Sequence, residues 1–506
     1  MLESFTLTPG TLTLKLLKHL HFNQQYCVLD EKAIPQVEKA RRVVSEIIQD
    51  QKTVYGINTG FGSLANQLIS NDSLQQLQKN IVLSHACGTG PLLEDAKVAL
   101  ILLLKINNLA QGYSGVRMEV IEALCQLYNH RVYPCIPAKG SVGASGDLIP
   151  LAHLALSLLG EGEVRYQGKR ISAKKGLSIA GMKPLELEAK EGLALLNGLQ
   201  VSAALSMDAF FMCERLFEAA VLVGSLSVDA AKGSDVPFDH RIHHVRGQSA
   251  QIRVAEMYRE LLRGSTIRES HRTCLRVQDP YSLRCQPQIM GAVLHQMEFV
   301  GETLQVEANA VTDNPLVFAE DGDILSGGNF HGEIIAMAAD NLALAIAEMG
   351  ANSERRIALL IDKHFSGLPA FLVKESGLNS GFMIAHVNAA ACASDNKALA
   401  HPHSVDSIPT SANQEDHVSM ATNASLRLSL MIENTATILA IELLAACQGL
   451  DFHHPLKTSQ CLQQVYDKVR ASVSHYQQDR YFAPDIAVIK EQICAGVFTF
   501  EQFGMF

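Results

Sequence analysis

Three consecutive residues, Ala144, Ser145 and Gly146, carry the most distinctive chemistry legible in this chain. They stand in KGSVGASGDLIPLAHLALSLL at 139–159, a glycine-rich turn that empties directly into an apolar stretch. Gly140, Gly143 and Gly146 remove side-chain bulk, Asp147 is placed as an N-cap, and Pro150 is tolerated only within the first turn of a helix. Leu151, Leu154, Ala155 and Leu158 then repeat at helical spacing until Gly160 and Gly162 stop the helix.

Three kinds of chemistry fit such a turn. It could be a plain helix N-terminus with a glycine approach. It could cradle a phosphate on its free amides, although no GK[ST] follows and Pro134 and Pro137 make VYPCIP a poor central strand. Or the amide nitrogen of Gly146 could close onto the carbonyl carbon of Ala144, a closure for which a residue without Cβ is suited. Loss of water from that ring and from Ser145 would leave a methylidene conjugated to an imidazolone, an electrophile made from backbone. At a helix N-terminus the developing negative charge on such a ring would be stabilised by the dipole.

The elements that must position this turn read as mostly helical. The alternation in FTLTPGTLTL suggests short strands over 4–33, and Pro35 opens a helix to about Gln49. Helical patterns follow at 73–87, 93–111 and 116–129, and EVRYQGKRIS at 163–172 reads as a hairpin turning at Gln167-Gly168. GINTGFGSLAN at 56–66 cannot hold a helix and reads as a mobile loop after Tyr55, either a lid or a connector. Long helices are expected over 188–232, 284–310, 331–362, 380–400 and 416–449, lengths that imply a bundle, with the polar motifs in the breaks between them. The domain expectation is a segment 1–200 carrying the Ala-Ser-Gly turn, a central bundle over 201–450 and a helical segment over 451–506.

Composition narrows the function classes. Of 506 residues, 47% are hydrophobic and 19% charged, which suits a large buried core and self-association. Forty-two Lys and Arg against 52 Asp and Glu give −10, which argues against nucleic acid or an anionic membrane as partner. The 11 cysteines are scattered without a CxxC pair, as in a reducing compartment. The first 20 residues show no secretory signal. The apolar runs at 98–104 and 435–447 are interrupted at Lys105 and Glu442, short of the roughly 18 residues a spanning helix needs. A soluble, cytoplasmic protein is expected.

Blocks spread over nearly the whole chain resemble one family: VYGINTGFG at 54–62, NIVLSHACGTG at 80–90, GSVGASGDL at 140–148, EGLALLNG at 191–198, QDPYSLRCQPQ at 278–288, VTDNPLVF at 311–318, SGGNFHGE at 326–333 and SVDSIPTSANQEDHVSMA at 404–421. The chain resembles the aromatic amino acid ammonia-lyases, and within them the branch acting on histidine. The resemblance implies a mainly α fold of the fumarase/aspartase-like superfamily, with a long central helical bundle and a smaller mixed N-terminal region carrying the electrophile turn. It implies a 4-methylidene-imidazol-5-one formed autocatalytically from Ala144-Ser145-Gly146 with no external cofactor. It further implies L-histidine as substrate, trans-urocanate and ammonia as products, and a homotetramer whose sites draw on more than one subunit.

It also implies roles. Tyr55 is the candidate base for the β-proton, and Tyr281, with Asn197 and Gln278, resembles the polar set around the amine and electrophile. Arg284 fits a bidentate clamp on the substrate carboxylate. His85 and Glu415 resemble the pair around the substrate side chain, where a carboxylate can accept the imidazole N–H that a phenyl ring lacks. Met383 resembles a ring-contacting residue, and Asp147 and Phe330 resemble supports of the cyclising tripeptide. Each has an ordinary alternative in packing, capping or solvation.

Two departures stand out. Leu199 occupies a position where threonine is expected, and His386-Val387-Asn388 replaces the expected pattern after Ala385. The His240, His243, His244 cluster and His401 and His403 read as structural or solvated, so no metal is expected. Alternatives within this reading are a tyrosine or phenylalanine lyase, an aminomutase, or an inactive helical scaffold.

Overall fold

The computed structural model describes residues 3–50, 52–272 and 277–504, and it is mainly helical. The chain divides into two compact units. The first comprises Met1–Asp208, Gly301–Asp340 and Pro402–Leu426; the second comprises Ala209–Val300, Asn341–His401 and Arg427–Phe506.

In the first unit, Ser4–Leu7 pairs in parallel with Tyr26–Leu29, so part of the expected strand content over 4–33 is present. Between them, however, Leu14–Phe22 is a helix. The alternating pattern ends at Pro9-Gly10; Thr13 then caps Leu16, and Leu17 and Leu20 point into the core at helical spacing. The helices Ile34–Gln49, Leu74–His85, Asp95–Ala110 and Met118–Asn129 follow, as the periodicity predicts. Glu163–Tyr166 and Lys169–Ser172 form the expected hairpin, with Gln167 and Gly168 at positive φ, and Tyr133–Pro134 extends it to three strands.

The expected mobile loop after Tyr55 is partly a bonded one. Residues 56–60 are buried, and Asn58 ties the segment down by accepting from the Val54 amide (2.9 Å) and donating to the Lys52 carbonyl (2.8 Å).

The helix expected over 188–232 is two helices, Glu191–Leu196 and Gln200–Ala230. Asn197, Gly198 and Leu199 interrupt it because Gly198 lies against the reactive turn: Gly146 pairs with Gly198, and the Asp147 amide donates to the Gly198 carbonyl at 2.8 Å. A Cβ on Gly146 would meet that carbonyl oxygen at 2.4 Å. The remaining long helices are Gln286–Glu307, Glu333–Ile361, Met383–Leu399 and Ala421–Asp451. The last starts later than its apolar pattern suggests, since Met420 has a φ of +56°.

Within the second unit a buried polar knot ties three of these helices. The Glu442 carboxylate accepts from Arg356 Nη2 at 2.8 Å, from Ser227 Oγ at 2.6 Å and from Ser353 Oγ at 2.5 Å. Both members of the Arg356–Glu442 pair are fully buried. Glu442, which interrupts the apolar run at 435–447, sits inside a continuous helix, as the expected span over 416–449 implies. Glu333–Ile361 and Ala421–Asp451 are long and apolar enough to cross a membrane by length and composition, yet 61% and 78% of their apolar windows are buried inside the protein, as in core helices.

Candidate active site

The helix Leu148–Leu158 begins immediately after the reactive tripeptide, with Pro150 buried in its first turn. Asp147 stands at the N-cap position, but its side chain does not cap that helix. Its Oδ2 instead accepts from the amides of Val201 (2.9 Å) and Ser202 (2.7 Å) and from Ser202 Oγ (2.9 Å), while Oδ1 accepts from Thr422 Oγ1 (2.8 Å). Asp147 thus caps the Gln200–Ala230 helix from outside. Burial raises its carboxyl above the ordinary range, and the four donors oppose that rise. The other wall is apolar: Ala144 packs with Val418 and Met420, with Val142 against them, and the Met420 amide donates to the Val142 carbonyl at 2.9 Å.

Above this floor lies a cavity of about 410 Å³ lined by Tyr55, Ala144, Ser145, Asn197, Phe330 and Glu415, among others. Six of the residues singled out in the sequence, from five separate blocks, therefore meet around one space. Ser145 Oγ donates to Glu415 Oε1 at 3.0 Å. The other oxygen, Oε2, accepts from Thr410 Oγ1 and Ser411 Oγ, both at 2.8 Å. The Tyr55 hydroxyl accepts from the Gly62 amide at 3.4 Å, folding the glycine loop back over it. Asn197 is 4% exposed; its Nδ2 donates to the Asn314 carbonyl at 2.8 Å. His85 is bonded through Nδ1 to Ser84 Oγ at 3.0 Å. Its pKa is lowered, chiefly by burial, with the Glu415 charge among the opposing influences.

Gln278, Tyr281, Arg284 and Met383 belong to the second unit and are not among the residues lining this cavity. Tyr281 is 69% exposed, and the Arg284 guanidinium lies 4.5 Å from the centre of its ring. Among the described residues, Arg284 Nε is buried without a hydrogen-bond partner. Met383 opens its helix and is 37% exposed.

The aromatic amino acid lyase family model matches residues 12–471. This chain belongs to that family. A histidine ammonia-lyase of Legionella pneumophila (strain Corby) is 73% identical over 97% of this chain and 98% of its own length. The histidine ammonia-lyase of Vibrio cholerae is 60% identical over 94% of both. The crystal structure of histidine ammonia-lyase from Trypanosoma cruzi superposes with a TM-score of 0.91 at 39% identity, covering 99% of this chain and 95% of that one.

In this lyase the structure adds residues that sequence reasoning passed over. Lys105 is fully buried and donates from Nζ to the Asn197 carbonyl at 2.6 Å and to Gln200 Oε1 at 3.3 Å. Burial lowers its pKa to about 7, with Lys190 adding to the drop and Asp313 and Asp147 opposing it. Gln200 Nε2 and the Leu199 amide both donate to Thr312 Oγ1, at 2.9 and 3.2 Å. Leu199 itself is buried at 2% exposure. Asn314 Oδ1 accepts from the Gly327 amide at 2.7 Å and lines the cavity, as does His331. Asn314 and His331 stand inside quoted blocks; for Lys105 the only signal was a cation interrupting an apolar run. The His243 ring nitrogens are both engaged, Nδ1 by Gln251 Nε2 at 2.8 Å and Nε2 by the Pro237 carbonyl at 2.9 Å.

Proposed function

We propose that this lyase removes ammonia non-oxidatively from L-histidine, giving trans-urocanate and opening histidine breakdown toward glutamate. The observation that carries the reading is the Ser145–Glu415 contact at 3.0 Å inside a cavity shared with Tyr55 and Asn197. A tripeptide able to cyclise faces a carboxylate able to accept an imidazole N–H. The high identity to histidine ammonia-lyases supports the same substrate.

The tripeptide fits cyclisation. Gly146 has a φ of +76° and no room for a Cβ, and Asp147 and the 418–421 segment hold its two flanks. Closure forms a bond from the Gly146 nitrogen to the Ala144 carbonyl carbon. One water leaves with the carbonyl oxygen, the Gly146 amide proton and the Ser145 amide proton; a second leaves with the Ser145 hydroxyl and its Cα proton. The resulting 4-methylidene-imidazol-5-one supplies an electrophile that makes the substrate amine a better leaving group.

The chain's other residues bind and move protons. Tyr55 takes the β-proton. Arg284 clamps the carboxylate in two parallel hydrogen bonds. Asn197, Gln278 and Tyr281 surround the amine, Glu415 accepts the imidazole N–H beside His85, and Met383 contacts the ring. Phe330 and Asp147 hold the tripeptide. The protein acts as a homotetramer whose sites draw on more than one subunit. The enzyme works in the cytoplasm without a metal or an added cofactor. Incubation of the purified protein with L-histidine tests this reading: urocanate absorbance rises, whereas absence of urocanate alongside turnover of tyrosine or phenylalanine would reassign the substrate.

A further inference from the structure

Glu415 ends a turn that backbone propensity does not favour. Ser411, Ala412 and Asn413 stand in succession at φ of +49°, +53° and +67°, a conformation that side-chain-bearing residues hold only when their surroundings impose it. The turn is closed by reciprocal bonds, the Thr410 amide to the Glu415 carbonyl at 2.9 Å and the Glu415 amide to the Thr410 carbonyl at 3.3 Å. Its product is a carboxylate with a divided allegiance. Oε2 is held by two hydroxyls of its own turn, Thr410 and Ser411, and Oε1 by the hydroxyl of Ser145.

The two oxygens have different futures. With two donors fixed on Oε2, the carboxylate cannot turn about its Cγ–Cδ bond without losing both. The Ser145 hydroxyl, by contrast, departs as water when the tripeptide matures, and takes with it the proton donated to Oε1. An oriented acceptor is then left facing the cavity, and an imidazole N–H is a donor that can replace the lost one.

We infer that Thr410 and Ser411 are positioning residues for recognition of the imidazole: they anchor Oε2 so that maturation of Ser145 opens Oε1, and only Oε1, to the substrate. The inference rests on the histidine-lyase reading and deepens it. Neither hydroxyl touches the reacting atoms, so their loss weakens binding of the ring more than it slows the bond-breaking step.

The test is a kinetic comparison of the full-length wild type with Thr410→Val/Ser411→Ala, with intact mass recorded for each. The double variant is expected to be two waters lighter than its encoded mass, with KM for L-histidine raised about tenfold and kcat changed much less. Thr410→Ser, which keeps the hydroxyl, is expected to keep the wild-type KM. If the double variant does not fold, the single variants Thr410→Val and Ser411→Ala are each expected to raise KM about threefold. An unchanged KM in the valine/alanine variants overturns the inference, as does an unmodified mass, which would assign the hydroxyls to ring formation. Glu415→Gln in the same assay separates the levels. A raised KM there with an unchanged one in the valine/alanine variants defeats only the anchoring; an unchanged KM in Glu415→Gln defeats the substrate contact itself.

Discussion

Glu415 and Glu307 show how burial gives similar side chains different tasks. Glu415 lines the cavity, and its carboxylate accepts from the hydroxyls of Ser145, Thr410 and Ser411. Glutamine at this position keeps the shape but loses the charge, so Glu415→Gln is expected to lower kcat/KM for L-histidine by roughly tenfold to a hundredfold, the range of a charge-assisted hydrogen bond. Steady-state kinetics checks this. Glu307 lies beneath the site, and burial beside the Asp147 charge raises its carboxyl to about 7, with Oε1 left without a partner among the described residues. A raised folded pKa contributes stability below the unfolded value, near 4.5, that is lost as pH rises through about 7. Glu307→Gln removes that loss. The Tm of the variant minus that of the wild type is expected to grow between about pH 5 and about pH 8, measurable by calorimetry.

Each element near the site is shaped by a contact made far along the chain. Asp147 caps a helix more than 50 residues away from the one it precedes, because the break at Asn197–Leu199 brings the two starts together. Apolar periodicity alone could not show this break, since Leu196, Leu199 and Val201 continue the pattern through it. The same limit explains Leu14–Phe22, where an alternating stretch upstream hid a helix that starts at its Thr13 cap. Where one segment contains its own signals, the sequence was sufficient: Pro35 and the repeat from Val37 to Ile47 mark Ile34–Gln49, and Gln167-Gly168 marks the hairpin turn. The tripeptide, Tyr55, Asn197, Phe330 and Glu415 were legible through their blocks. Lys105 was not, because its partners Asn197 and Gln200 lie 92 and 95 residues away. At this scale the Glu442 knot offers a direct check. Glu442→Ala leaves Arg356 buried and unpaired and is expected to cost about 3–5 kcal/mol, seen as a lowered denaturation midpoint.

For the whole molecule, the hydrophobic share of 47% is not all consumed within one chain. On the Glu333–Ile361 helix, Ile334, Met337 and Leu344 are about half exposed, and we propose that another subunit covers them. Sedimentation at working concentration is expected to give four times the chain mass. The central claim concerns three residues, and peptide mass spectrometry of the freshly purified, active wild type tests it most directly. The fragment carrying Ala144, Ser145 and Gly146 is expected two waters below its encoded mass, while the corresponding Ser145→Ala fragment lacks the serine dehydration and the assembled variant is inactive. An unmodified fragment from wild-type enzyme that still turns over L-histidine at full rate would contradict the account.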